Sequence, residues 1–101
     1  MLDAARDALS FAKDRNRQDL DRDRKLVLAV VKSVEIIGEA AARVSAETQA
    51  ELPRLPWRDI IDMRHRLVHA YYDINLDIVW STLREDLPPL VETLETILRR
   101  A

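Results

Sequence analysis

The residues best suited to chemistry lie together in one short stretch of the second half of the chain. Arg64, His65 and His69 supply a permanent positive charge and two titratable rings, and Tyr71 and Tyr72 supply phenol groups. The stretch contains both histidines and both tyrosines of the chain. Histidine exchanges a proton near neutral pH, and a guanidinium stays positive and matches the geometry of phosphate oxygens. This combination suits proton transfer beside a phosphate group.

Arg64 falls where an apolar residue would be expected. Apolar residues recur at the three-and-four spacing of a helix, and Arg64 and Tyr71 fall on the same stripe. The apolar residues of the stripe are Trp57, Ile60, Ile61, Leu67 and Val68. A guanidinium on such a stripe needs an acidic partner, an interface or a water-lined cleft. Glu35 is a candidate charge partner, whereas Glu39 is interpreted as exposed because it can pair with Arg43 one helical turn later.

The spacing of Arg64 and His69 leaves two ways for them to cooperate. Five positions separate them, which corresponds to about 140° around an unbroken helix and about 7.5 Å along it. Either the helix ends near His69, or a second copy of the chain brings its own pair alongside. Turn-forming Asp73 and Asn75 predict that the helix ends between Ala70 and Ile74.

A metal site is the competing chemical hypothesis. On an unbroken helix, Asp62, His65 and His69 would share one face, with Asp73 a further turn away. The pattern lacks the glutamate that defines the metalloprotease motif H-E-x-x-H. We therefore expect no metal and no other cofactor.

Length and composition predict one soluble all-α domain over residues 1–101. Ala, Leu, Arg, Asp and Glu dominate, with one glycine, four prolines and no cysteine. No apolar run reaches the ~20 residues that span a bilayer, so a cytoplasmic protein without a membrane partner is expected. The net charge of −2 means that any contact with RNA must depend on local arginines such as Arg66 rather than on bulk charge.

Apolar periodicity predicts an antiparallel bundle of four main helices plus one short helix. The predicted helices begin near Leu2, Lys25, Ser45, Pro56 and Leu76. Within the charged stretch from Lys13 to Arg24, residues 14–18 are interpreted as a solvated turn, and Asp19 or Asp21 is available to cap the next helix. The last helix keeps its apolar rhythm through Pro88 and Pro89, so we expect it to kink there or to be split, with Asp86 capping a new helix.

The helix predicted from Lys25 to Val44 has too narrow a polar strip for a small monomer to cover. Its polar residues are Lys32, Glu35, Glu39 and Arg43, and most other positions are apolar or small. The extra apolar surface predicts a homodimer. Gly38, the only glycine, is interpreted as a site of close helix packing.

The ordered motifs resemble the HepT family of HEPN-domain toxins. The resemblance is carried by Arg64-x-x-x-x-His69-x-Tyr71, by the preceding run from Trp57 to Met63, by residues 77–80 and by residues 34–41. The family often has Asn and Gly where this chain has His65 and Ala70. His65 would add a second titratable ring to the site.

This resemblance implies a HEPN-like bundle that works as a homodimeric, metal-independent endoribonuclease on tRNA or mRNA. Arg64 and His69 would be catalytic, His69 as general acid or base and Arg64 as the clamp on the phosphate. His65, Arg66, Tyr71 and Tyr72 would line the cleft. The resemblance also implies a type II or type VII-like toxin–antitoxin pair, in which a cognate MntA-like nucleotidyltransferase antitoxin attaches AMP to Tyr71. The alternative is a non-catalytic homodimeric interaction module paired with a nucleotidyltransferase.

Overall fold

The computed structural model describes residues 1–70 and 73–100, and for His69, Ala70 and Arg100 it describes the backbone alone. The all-α class is confirmed, since helices account for nearly all of the regular structure. The elements are α1 (Leu2–Phe11), α2 (Arg17–Arg22), α3 (Arg24–Arg43), α4 (Ala46–Glu51), α5 (Trp57–Leu67), β1 (Val68–Ala70), β2 (Asp73–Ile74), α6 (Leu76–Ser81), a π-helical turn (Thr82–Asp86) and α7 (Leu87–Arg100).

Helix α3 is the centre of the bundle and packs against both α1 and α5. Its apolar residues repeat at three-and-four spacing, so that Val30, Val34 and Ile37 are fully buried. The side chain of Asp23 caps the helix by accepting a 3.1 Å hydrogen bond from the backbone N–H of Leu26. The prediction of one long central helix is confirmed, with bounds one residue earlier than expected.

The region between α1 and α3 differs from the predicted turn because it contains a short helix, α2. Asn16 caps α2 by accepting from the Asp19 N–H, while the Asp19 carboxylate accepts from the Asn16 N–H. Buried Leu20 anchors the helix to the core. The prediction that Asp19 or Asp21 caps the next helix was therefore wrong. Asn16 caps α2, and Asp23 caps α3.

Arg15 links the capping box of α2 to the cap of α3 through ion pairs of 3.3 Å with Asp19 and 2.9 Å with Asp23. The hydrogen bond from the Asn16 backbone, followed by that from Arg15, lowers the pKa of Asp19. The pKa of Asp23 is lowered chiefly by the Arg15 guanidinium and then by the Leu26 N–H. These carboxylates are therefore tied into the fold rather than simply solvated.

The last helix is bent, as the prolines predicted, but Asp86 caps no new helix. A π-helical turn precedes Pro88 and Pro89, and the Leu87 N–H bonds to the Thr82 carbonyl five residues earlier. Proline lacks the N–H of a helical bond, and its ring clashes with the carbonyl four residues before it. The wider π turn relieves that clash while the apolar face stays directed at the core.

Helix α4 is the predicted short helix, and it is fastened to α5. The Ser45 hydroxyl accepts from the Thr48 N–H at its start. The indole N–H of Trp57 donates to the carbonyls of Gln49 and Leu52, both at 3.1 Å. Across residues 1–70 and 73–100, no helix has the length and apolar character that a membrane crossing requires.

Candidate functional site

Arg64 begins the last turn of α5 and lies at the margin of its buried stripe. Ile60, Met63 and Leu67 are buried, whereas 43% of the Arg64 side chain remains exposed. The expectation of a core-facing guanidinium therefore needs correction: the side chain reaches the surface of the bundle beside α3. A charged group at this margin keeps part of its hydration, which burial would remove.

The acid beside Arg64 is Glu35 of α3. Arg64 Nε lies 3.6 Å from Glu35 Oε2, and Lys32 Nζ lies 3.9 Å from the other carboxylate oxygen. Both distances exceed hydrogen-bond length, so the contacts are electrostatic and adjustable. Lys32 was missed as a neighbour of this site, because the sequence analysis placed it only in the polar strip of the helix.

Gly38 allows α3 and α5 to approach closely enough for Glu35 and Arg64 to form this ion pair. A Cβ on Gly38 would lie 3.2 Å from the Ile61 carbonyl oxygen and 3.5 Å from that of Ile60. Glu35 precedes Gly38 by three residues, and Arg64 follows Ile61 by three. The close approach of α3 and α5 therefore continues directly into the Glu35–Arg64 contact, as the packing interpretation of Gly38 predicted.

Helix α5 ends at Leu67, three to seven residues before the predicted end. The chain then becomes extended, and Val68 pairs with Ile74 across the antiparallel strands β1 and β2. The Leu67 carbonyl accepts a 2.8 Å bond from the Asn75 N–H instead of continuing the helix. Val68 is β-branched and favours a strand, a preference that the helical stripe concealed. The strand pair was not predicted.

This early end changes the relation between Arg64 and His69. The backbone of His69 is the second residue after α5 and lies in β1, so the 140° separation of an unbroken helix does not apply. Of the two ways left open by the spacing, the structure shows the helix end. The side chain of His69, together with Tyr71 and Tyr72, lies outside the described residues, so those site predictions remain predictions.

His65 and Arg66 are both exposed, and Arg66 is not beside Arg64. Its Nη2 donates to the Asp59 carbonyl at 3.3 Å, and its side chain lines a cavity of about 300 Å³ with Met63 and residues of the π turn. Two helical positions separate the arginines, which is about 200° around the axis. Arg66 therefore lies on a different side of α5 from Arg64, nearest α7, and the cleft that was expected to contain both stays a prediction.

The helix end also affects the metal hypothesis. Asp62 and His65 are exposed on α5, but the helical face that should have continued to His69 stops at Leu67. Among the side chains that the structure describes, no group of three or more His, Asp or Glu residues could hold a metal ion. The spacing argument for a helical metal site loses its geometric basis.

The helical bundle, with an arginine in the last turn of one helix and a histidine just beyond it, is consistent with the HEPN class. More narrowly, the chain belongs to the Ribonuclease HepT-like family, whose model matches residues 1–97.

Similar proteins carry ribonuclease names. "Putative RNase MJ1380" of Methanocaldococcus jannaschii is 28% identical over 97 residues, which cover 96% of this chain and 89% of that protein. "Probable ribonuclease HepT" of Thermococcus cleftensis is 35% identical over 80 residues, covering 79% of this chain and 73% of the relative. No solved structure gave a significant match. The chain is thus a member of a ribonuclease family.

Proposed function

We propose that this protein is a metal-independent endoribonuclease in which Arg64 and His69 act together on an RNA phosphodiester. The observation that carries the proposal is the early end of α5. Arg64 begins the last helical turn, and His69 follows that helix by two residues in β1. Both motif residues therefore belong to one end of one helix, and family membership supplies the substrate class.

The proposed reaction needs no added nucleophile because RNA carries its own. A base takes the proton of the 2′-hydroxyl, the 2′-oxygen bonds to phosphorus, and the bond to the 5′-oxygen breaks as an acid protonates it. The products are a 2′,3′-cyclic phosphate and a 5′-hydroxyl. His69 serves as the acid or the base, and His65 is a candidate for the second proton transfer.

Arg64 stabilises the negative charge that builds on the phosphoryl oxygens. Its guanidinium is partly exposed beside Glu35, so it can reach a phosphate at the surface of the bundle. The 3.6 Å contact with Glu35 orients the side chain without the strong hydrogen bond that would hold it away from substrate. Glu35 is a positioning residue in this scheme.

We propose a homodimer formed through the outer face of α3. Leu28 is 47% exposed and Ile36 is 43% exposed, and their eight-residue separation places them on one side of the helix. The same helix carries Glu35, so a two-fold contact here would bring two copies of the Arg64 site near each other. The sequence predicted extra apolar surface on α3. In the structure, the large side chains that this surface offers are those of Leu28 and Ile36.

The regulatory part of the proposal depends on the resemblance of the motif. Tyr71 would accept AMP from a cognate minimal nucleotidyltransferase, and the pair would act as toxin and antitoxin in the cytoplasm. Adenylylation would place a bulky, negatively charged group two residues from His69, where it would repel an incoming RNA phosphate. Mass spectrometry after incubation with ATP and such a partner should find AMP on Tyr71, and modification of another residue would refute this part.

Cleavage of RNA in excess EDTA tests the catalytic part. Purified protein should produce fragments ending in 2′,3′-cyclic phosphate, and His69→Ala should abolish their formation while the helical circular dichroism signal stays unchanged. Cleavage that stops with EDTA would support the metal hypothesis. A wild-type protein that binds a partner tightly yet cuts no RNA would support the interaction module instead.

A further inference from the structure

A second cavity lies away from the ion pair of Arg64 and Glu35, between the turn after α1 and the bent last helix. It has a volume of about 420 Å³. Its wall includes Lys13, Asp14 and Arg15 from the turn, together with Trp80 of α6 and Arg84 of the π-helical turn. Leu83 contributes an apolar part of the lining. The size is within the range of small-ligand sites, and such sites combine apolar and aromatic side chains with a few charged groups, as this cavity does.

The aromatic part of this wall is a stacked pair. The guanidinium carbon of Arg84 lies 5.5 Å from the centre of the Trp80 ring, which is the geometry of a cation–π contact. From the sequence alone, Arg84 is interpreted as a solvated surface charge. Stacking instead holds its positive charge beside a half-buried indole, and such pairs provide a flat surface on which a nucleobase can stack.

The charge of the cavity comes chiefly from Lys13 and Arg84. Among the side chains that the structure describes, neither takes part in an ion pair, whereas Arg15 is held by Asp19 and Asp23. The one carboxylate in the wall, Asp14, belongs to a residue with φ of 61°, a left-handed conformation that Asp tolerates better than most residues. Bonds from Lys13 N–H to the Ser10 carbonyl and from Arg15 N–H to the Ala12 carbonyl hold this turn in place.

The cavity is connected to the catalytic end of α5 through α6. Asn75, which caps α6, also donates its N–H to the last residue of α5. Trp80 lies five residues beyond Asn75 on α6, which is about 7.5 Å along the helix. A strand of RNA entering the proposed active site could therefore reach this cavity within a few nucleotides.

We infer that this cavity, defined by Lys13, Trp80 and Arg84, is a second binding site for single-stranded RNA. A base stacks against the Trp80–Arg84 pair, and the neighbouring phosphate lies between Lys13 and Arg84. The site rests on the proposed ribonuclease function and extends it: it holds substrate at a distance from the cleaved bond. The site contacts the charged RNA backbone and the flat face of a base, which all four bases share. It therefore binds RNA without strong sequence preference.

Binding of a fluorescein-labelled ten-nucleotide oligouridylate tests the inference, measured by anisotropy in the His69→Ala background so that no cleavage occurs. The double variant Lys13→Ala/Arg84→Gln should bind about tenfold more weakly near 0.1 M salt. Its plot of log Kd against log salt should also become shallower by about 0.7, because about 0.7 is lost for each single-stranded phosphate that the protein no longer neutralises, and one phosphate lies between Lys13 and Arg84. A purely structural defect would leave that slope unchanged.

The matched control is Lys25→Ala/Arg43→Gln, which removes the same charges from exposed positions on α3. It should retain the wild-type slope. Equal losses in both double variants would overturn the inference, because they would show only an effect of net charge.

The two indole N–H signals in a ¹⁵N spectrum provide a readout that needs no substitution. Oligouridylate should shift the Trp80 signal and leave that of Trp57, which lines a different cavity and donates to two carbonyls. An unmoved Trp80 signal at saturating oligouridylate would overturn the site. Binding here by a protein that cuts no RNA would refute the proposed catalysis alone, and cleavage with no effect of the double variant would refute this inference alone.

Discussion

Arg64 is the residue on which the proposed chemistry places the most specific demand. It lies in an exposed ion pair with Glu35, and pairs of this kind contribute about 0–1 kcal/mol to folding. Stability therefore gives little reason for an arginine at this position rather than a lysine. A planar fork that binds two phosphate oxygens at once gives a strong reason.

Arg64→Lys separates these two roles because it keeps the charge and loses the fork. We expect kcat for RNA cleavage to fall about 10²–10³-fold, the effect of removing one well-placed donor from a transition state. The melting temperature should change little, since a lysine can still approach Glu35. Single-turnover cleavage and thermal melts monitored by circular dichroism measure both quantities.

Arg6 provides the matched control for this substitution. Its Nη2 lies 3.3 Å from Glu95 in another exposed pair between helices, α1 with α7. Arg6→Lys should leave both kcat and the melting temperature near wild type. A similar loss of activity in both variants would contradict a special role for the Arg64 fork.

At the scale of elements, the contact between α3 and α5 depends on Gly38. Gly38→Ala adds about 1 kcal/mol of helix propensity but brings a methyl group within 3.2 Å of the Ile61 carbonyl. That carbonyl belongs to the backbone of α5, so relief requires the whole helix to move, and overpacking costs about 1–3 kcal/mol. We expect a net destabilisation of about 1 kcal/mol and a fall of about 4–8 °C in melting temperature.

Ala42→Gly isolates the propensity contribution, because Ala42 is exposed on the same helix. The fall in melting temperature measured for Ala42→Gly equals the rise that Gly38→Ala would give if its new methyl group met no clash. If Gly38→Ala raises the melting temperature by that full amount, α3 and α5 do not approach as closely as the structure shows.

The Arg15 cluster between α1 and α3 makes stability depend on acid. The folded-state pKa values of Asp19 and Asp23 lie below the ordinary value of 3.8. Their contribution is therefore fully present above that ordinary value and is lost as the pH falls through the lowered folded values. We expect a steady melting temperature from about pH 7 to 5 and a fall below about pH 4.

Asp23→Asn tests this assignment because asparagine can still cap α3 but cannot carry the charge. The variant should melt below wild type near neutral pH and should lose less on acidification, so that the two curves converge in acid. Melts at about pH 7, 5 and 3 measure the difference. Parallel curves would show that Asp23 does not carry the acid dependence.

The sequence predicted those elements that depend on regular apolar spacing. The central helix, the short helix after Ser45 and the bend at Pro88 follow from periodicity, capping and proline chemistry. The end of α5 could not be predicted in the same way, because Val68 satisfies both a helical stripe and a strand. What decides between them is the pairing of Val68 with Ile74, six residues later, which apolar spacing does not reveal. The candidate motif was found from its residue types, while the position of Arg64 at the margin of the core depended on packing with α3.

At the scale of the whole molecule, the outer face of α3 is the contact surface of the proposed homodimer. The second stripe of small and apolar residues, which suggested a dimer, is partly covered within one chain, since Ser33 is buried and Ala29 and Ala40 are half-buried. Leu28 and Ile36 remain, one turn on either side of Lys32. Burying one such side chain fully contributes about 1.5–3 kcal/mol, and a two-fold contact counts each of them twice.

Leu28→Asp/Ile36→Asp should therefore convert a dimer to a monomer. Burial of four uncompensated carboxylates at a two-fold contact would cost far more than the contact gains. Light scattering after gel filtration should give twice the 11.7 kDa chain mass for wild type and the single chain mass for the variant. If each active site needs both protomers, cleavage should be lost together with dimerisation, while the helical signal is retained.

Phe11→Asp/Leu98→Asp is the matched control. Phe11 is 45% exposed and Leu98 is 57% exposed, both on helices other than α3, and this variant should remain a dimer. A wild-type protein that stays at the single chain mass at all concentrations would contradict the dimer, and a monomeric variant with full activity would confine the catalytic site to one chain.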